Sequence, residues 1–413
     1  MGLSVGPDTH YDFGEATSVR PSVTQIKKDE LSQEIESLGL ESIEVTPEYE
    51  RSLERVLLTV SRDANVEEYY GDFIINCPEY TQFEVVVDEA RHDEIRRLFR
   101  KLDVDKDRVS FCEIEDGYRV EKWAQDYTDM VSLQGEDQLL MMKKIGNPPE
   151  DWHEDWHKFS ERVNQRTDLL KKCLGENQYL EVPFIFEGGN MLFDSTPNGL
   201  RVFMGYNDIM CTRYAYDWEM CDFSDEDIIE LMSAYFGGAE IIVMGEEQQA
   251  QEIFHLDHVF TILDDATVVM RATSDEVDYG EVLATYKQQF EELGYRIIEV
   301  ETTAERFSSF EGCVNGIPFV DQETDKKSMM FPVYADDFVK PETYDKSLRY
   351  FKNNPILEED LTSEGLAAYR AFKQAGYEPI PVRNFTFAEH GSLHCLTNVL
   401  AAAVGEDDGV EVA

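Results

Sequence analysis

The sequence predicts a mixed α/β fold, and three observations carry that reading. From residue 71 onward, short strand-like apolar runs alternate with amphipathic helical stretches. The alternation follows a strand–strand–helix–strand rhythm that returns with variable insertions and without a visible sequence repeat. A length of 413 residues, 42% hydrophobic and 12% aromatic, is enough to bury a sizeable core.

Residues 1–28 are polar and punctuated by Gly and Pro, which predicts a loosely held arm. Over 29–62, Leu, Ile and Val recur at helical spacing among Glu and Lys. Strand-like runs follow at 73–77 and 83–87, then a helix at 89–101 and a strand at 109–114. Residues 136–180 read as a helical insertion broken by Pro148 and Pro149. Strands resume at 182–186 and 200–205, followed by a helix at 224–236 and strands at 240–245, 258–263 and 267–272. A helix at 279–293, a strand at 296–301, a helix at 362–375 and a strand at 378–382 complete the alternation. A Gly391-Ser392 turn then leads into an apolar run, Leu396–Val404, that reads as a helix. The expected organisation is an N-terminal arm and helical extension over 1–64, one α/β domain over 65–404, and an acidic tail over 405–413.

Acidic residues number 85 against 37 basic ones, for a formal net charge of −48. That charge repels nucleic acid and anionic membrane, so neither is an expected partner. Because the acid is spread along the whole chain, it reads as the hydrated surface of a salt-adapted, halophilic protein. The same field attracts cationic ligands. No run of about 18 apolar residues predicts a membrane span. The N-terminus lacks the basic-then-apolar pattern of a secretory signal, and a cytoplasmic location is expected. Seven scattered cysteines without a CxxC pair fit reduced thiols better than a disulfide frame.

Four stretches carry candidate chemistry. In 391–398, His394 and Cys395 open the apolar run; a thiol at a helix N-terminus is biased toward thiolate, whereas a buried free cysteine is commonly inert. In 254–260, His255 and Asp257 would share one face of a strand, a general base beside a cation-binding carboxylate, or else a surface His with a solvated Asp. In 186–190, Glu187 precedes Gly188-Gly189-Asn190, a close backbone approach to a ligand or a plain turn. In 123–126, Asp126 follows Trp123-Ala124-Gln125, a weak pattern by itself. A fifth stretch, 153–157, matches HExxH, with His153 and His157 as zinc ligands, Glu154 as base and Glu176 as a third ligand. Its neighbours Asp151, Trp152, Asp155 and Lys158 make a surface helix start instead of the apolar helix that such a site needs.

Taken in order, 123–126, 186–190, 254–260 and 391–398 resemble the guanidine-modifying enzymes of pentein fold. These include agmatine, arginine and protein-arginine deiminases, dihydrolases and amidinotransferases. The resemblance covers about 65–404, and 314–336 looks like the strand pair that these enzymes place before the nucleophile. It implies a pentein-type α/β propeller: pseudo-fivefold strand–strand–helix–strand units around a central active site. It further implies a small guanidino substrate and no metal or organic cofactor; assembly into a homo-oligomer is left open.

By the same resemblance, Cys395 is the nucleophile, His255 the acid/base, and Asp126 and Asp257 the clamp on the guanidinium. Glu187 supports the clamp or the histidine, and Asn190 and His394 belong to the substrate site. Asn190 stands where many relatives carry Asp, which removes a charge there. Paired carboxylates suit a planar cation with five N–H donors. The implied reaction is hydrolysis of a guanidino C–N bond through a thiouronium on Cys395. The alternatives are amidino transfer to an amine and, from another class, zinc hydrolysis at 153–157. The 136–180 stretch would form a wall or lid.

Overall fold

The computed structural model describes residues 22–114, 120, 123–150, 154–174, 179–245, 255–264, 266–273, 280–308, 311–344, 348–384 and 392–400. Strands fall into five small sheets. The first contains β1 (Ile43–Glu44), β5 (Asp129–Leu133), β6 (Glu136–Met142) and β7 (Tyr179–Val182), and the second β8 (Met191–Thr196), β9 (Gly199–Gly205) and β10 (Glu240–Met244). The third is β11 (Phe260–Leu263), β12 (Thr267–Ala272) and β13 (Arg296–Glu301), and the fourth β14 (Ile317–Asp321), β15 (Lys326–Val333) and β16 (Glu378–Arg383). In the fifth, β17 (Thr397–Val399) pairs with β2 (Arg55–Val60), followed by β3 (Gln82–Asp88) and β4 (Val109–Ile114).

One pattern recurs. An antiparallel pair is followed by a helix and a third strand parallel to the second, as in β8, β9, β10 and in β11, β12, β13. A parallel pairing needs a crossover, and helices supply it. Glu154–Leu174 links β6 to β7, Gly280–Glu292 links β12 to β13, and Ser363–Ala375 links β15 to β16. The fifth sheet joins the chain's two ends, because β17 runs antiparallel to β2. Composition explains the local choices. Helix Gly280–Glu292 buries Val282, Leu283, Tyr286 and Phe290, one apolar stripe packed against β13, whose Ile298 and Val300 are buried in the same cluster. The cores pass between sheets: Val56, Phe83 and Leu98 share a cluster with Ile317, Met330 and Val382.

Several expectations are corrected. Residues 73–77 end a helix, Val66–Asn76; Tyr69, Tyr70, Phe73 and Ile74 give it a buried helical stripe that a short apolar run conceals. The helical spacing read over 29–62 extends only to Leu38, and Arg55–Val60 is a strand buried almost throughout. The 136–180 stretch is not an insertion: β6 and β7 bracket its helix as parts of the first sheet. The apolar run after Cys395 is the strand β17, preceded by one helical turn, Leu393–Leu396; residues 401–404 lie outside the described ones. Finally, Cys112 and Cys173 form a disulfide. They lie 61 residues apart, on β4 and a crossover helix, so no local spacing signals the pair.

Candidate active site

Each sheet's leading strand is preceded by a segment that delivers side chains to one buried centre. The turn Ala124–Tyr127 carries Asp126 ahead of β5. Glu187 and the turn Gly188–Asn190 stand before β8, and His255 with the turn Leu256–His258 before β11. Asn315 precedes β14, and the turn Leu393–Leu396 brings His394 and Cys395 before β17. All of these side chains are buried.

Sγ of Cys395, a ring nitrogen of His255 and a carboxylate oxygen of Asp257 lie within 4.8 Å of one another. The Cys395 thiol donates to Asp257 Oδ2 at 3.4 Å, and Asn315 Nδ2 donates to the sulfur at 3.8 Å. Asn315 Oδ1 accepts the His394 backbone N–H at 3.0 Å, which fixes the turn that presents the sulfur. His255 Nε2 meets Glu187 Oε2 at 2.8 Å. Arg166, from helix Glu154–Leu174, spans two acids: Nη1 reaches Glu187 Oε1 at 3.1 Å and Nη2 reaches Asp126 Oδ2 at 3.2 Å. His258 Nε2 stands 3.8 Å from the sulfur.

Gly189 is required by a close approach. A Cβ there would fall 2.7 Å from Asp257 Oδ2 and 2.9 Å from His255 Nδ1. Asn190 packs its side chain against Gly205 and sits beside the buried carboxyl of Asp208, with no hydrogen bond to the sulfur. His394 has both ring nitrogens against carboxylates, Nδ1 on Asp257 Oδ2 and Nε2 on Glu48 Oε1, each at 2.8 Å. His255 and Asp257 do not alternate along a strand as predicted. Asp257 lies in the turn Leu256–His258, yet both side chains converge.

The electrostatics follow from burial and close charges. Burial opposes charge on His255, but its bonds to Cys395 and Glu187 and the field of Asp126 outweigh that and raise its pKa well above the usual value. Burial also works against the Asp257 carboxylate; the His394 bond and the neighbouring histidines overcome it and hold Asp257 well below the usual range. Burial dominates at His258, which is lowered to about 4 and stays neutral. Burial, then the Asp257 charge, pushes the Cys395 thiol up to about 12, against the pull of His255. Of the two readings of this thiol, burial favours the neutral one: the single helical turn is too short for a helix-end field to offset burial beside a carboxylate. Thiolate is the reactive form, so alkylation of Cys395 by iodoacetamide should be slow at pH 7 and accelerate about tenfold per pH unit up to pH 9. Peptide mapping checks this, and a plateau by pH 8 would contradict it.

Of the predicted residues, the structure brings Cys395, His255, Asp257, Glu187, His394 and Asp126 into one connected group. Glu48, Arg166, His258 and Asn315 join it and were not singled out. The HExxH stretch is elsewhere: Glu154 is exposed and pairs with Lys158 at 3.0 Å, His157 is partly exposed, and His153 and Glu176 lie outside the described residues.

No family model and no curated protein matches the chain. Solved structures do match, and the mixed α/β fold is that of the pentein-fold deiminases. C. jejuni agmatine deiminase superposes with a TM-score of 0.58 at 16% identity, over 88% of this chain and 97% of that one. A Porphyromonas gingivalis protein assigned as an arginine deiminase gives 0.56 at 15% identity, over 86% and 97%. A protein assigned as a peptidyl-arginine deiminase gives 0.55 at 14% identity, over 88% and 99%. Among the described residues no helix is long and apolar enough to cross a membrane.

Proposed function

We propose that this protein hydrolyses the C–N bond of a small guanidino compound, agmatine or an arginine derivative, through a covalent adduct on Cys395. The observation that carries the reading is the convergence of Cys395, His255 and Asp257 within 4.8 Å in a buried acidic site. We read the five sheets as propeller blades around that site.

Charge supports the substrate class. Asp126, Glu187, Asp257 and Glu48 face Arg166, His255 and His394, with Arg162 also acting on Glu187, while Asp208 is raised toward its neutral form by burial and by Glu187. Buried carboxylates thus line the centre around the sulfur, and such groups suit a planar cation with several N–H donors. Asp257 Oδ1 is buried without a hydrogen-bond partner among the described residues, ready to accept a guanidinium N–H. Such a cation also offsets the Asp257 charge that holds the thiol neutral, so substrate binding and thiolate formation favour each other.

As the cation binds, the Cys395 thiol loses its proton to solvent, and the thiolate adds to the guanidinium carbon. His255, protonated in the resting site, gives its proton to the departing nitrogen, and ammonia or an amine leaves a thiouronium on sulfur. The neutral imidazole next takes a proton from water, the resulting hydroxide adds to the same carbon, and the C–S bond breaks as the C=O forms, the hydroxyl proton passing to the freed sulfur and the ureido product departing. Asp126 and Asp257 grip the planar cation, and His394 reaches the substrate through Asp257. Incubation with a panel of guanidines should release ammonia and ureido product from at least one, and acid quench should trap a mass increment on Cys395. Added amines should not divert the product to a new guanidine. A panel without turnover or adduct refutes the reading.

A further inference from the structure

We propose that Glu48 is a positioning residue of this centre, reaching it from the N-terminal segment and clamping His394 against Asp257. The inference rests on the guanidino reading for its consequence, though not for its geometry.

Glu48 opens the turn Glu48–Glu50 directly after Pro47. That segment is anchored on every side. Tyr49 donates to Asp194 Oδ1 at 2.7 Å. Arg51 Nη2 bonds to Asp129 Oδ1 at 2.8 Å, and the Arg51 carbonyl accepts from the backbone N–H of Val320 at 2.8 Å. Four residues before Glu48, β1 ends its pairing with β5. The backbone that carries Glu48 is therefore fixed independently of His394, and both oxygens of its carboxylate lie within 3.0 Å of His394 Nε2.

An imidazole with a carboxylate at each nitrogen satisfies both only as the doubly protonated ring. The consequence falls on Asp257. Its Oδ2 receives His394 Nδ1 and the Cys395 thiol, which fixes the carboxylate's rotation, and its other oxygen has no hydrogen-bond partner among the described residues. The groups facing His394 are Glu48, Asp257, His255, His258 and Cys395, with Arg51 beyond Glu48. Burial works against the His394 charge, but Glu48 and then Asp257 overcome it and raise it to about 10. Its pKa is raised, so the proton is present below about pH 10 and is lost as pH rises through that value. Removing the Glu48 charge lowers that limit.

Glu48→Gln and Glu48→Asp test this in the full chain. A residue that orients a ligand-binding group through a hydrogen bond is worth about 10–100-fold by analogy with metal-site second shells, so Glu48→Gln should lower kcat/KM by that factor at pH 8. Its alkaline limb should move down by about one pH unit or more, and Glu48→Asp should recover most of the loss. Imidazole NMR of the substrate-free protein gives an independent readout. His394 should stay protonated to pH 9 in the parent protein and titrate at lower pH in Glu48→Gln. An unchanged pH profile, or a parent His394 that titrates near pH 6.5, overturns the proposal. The NMR result needs no substrate, so a failed guanidine panel would remove the functional reading while this titration still decides whether Glu48 holds His394.

Discussion

Replacing Cys395 by alanine should reduce turnover of the guanidino substrate by about 10⁵-fold or more and abolish the mass increment on residue 395. The size follows from the role. Every bond change in the proposed route passes through the sulfur, and no second thiol can replace it. Cys313 is engaged with Asp337 in a separate buried network, Cys77 and Cys221 belong to other parts of the fold, and Cys211, although near Asp208 and Glu187, is held as thiol by burial and by those charges. Folding should hardly notice the change. Cys395 is 3% exposed and its thiol donates one long hydrogen bond, so its removal costs on the order of 1 kcal/mol. An active and normally folded alanine variant would refute covalent catalysis. Activity that also vanished with a chelator would move attention to the HExxH stretch.

The chemistry-bearing residues were legible because they sit in short, ordered motifs. Cys395, His255, Asp257, Glu187 and Asp126 each stand beside glycines, aromatics or a second polar group. Strand runs such as 267–272 and 296–301 were legible for a different reason, since β-branched residues at those positions have no helical stripe. Glu48 was not legible. It is one of 85 acidic residues and meets His394 across 346 positions of sequence. Arg166 lies in a polar helix whose period says only that one side is buried, not that a guanidinium on that side bridges two acids. Asn315 acts through both ends of one amide, on the sulfur and on the turn that holds it, which no local pattern reveals. The thiol's ionisation stayed open in the sequence because it depends on burial and on Asp257, both set by distant chain.

Replacing Arg166 by methionine should destabilise the protein by about 3–5 kcal/mol and lower activity even at saturating substrate. Arg166 is 4% exposed and is itself a guanidinium, gripped by Asp126 and Glu187. Methionine fills similar space but leaves two buried carboxylates without their common partner, and an unpaired buried charge costs far more than the pair contributes. Lysine should not restore the arrangement, because a single ammonium lacks the planar fork that spans two acids. Glu187 would keep His255 but lose one of the cations that offset its charge, while Asp126 would lose the guanidinium bond that aims its Oδ2. Urea unfolding gives the stability loss, and kcat measured at saturation gives the catalytic one. Stability within about 1 kcal/mol of the parent would show that Asp126 and Glu187 are not held by this residue. A kcat that recovered fully with added substrate would limit Arg166 to binding.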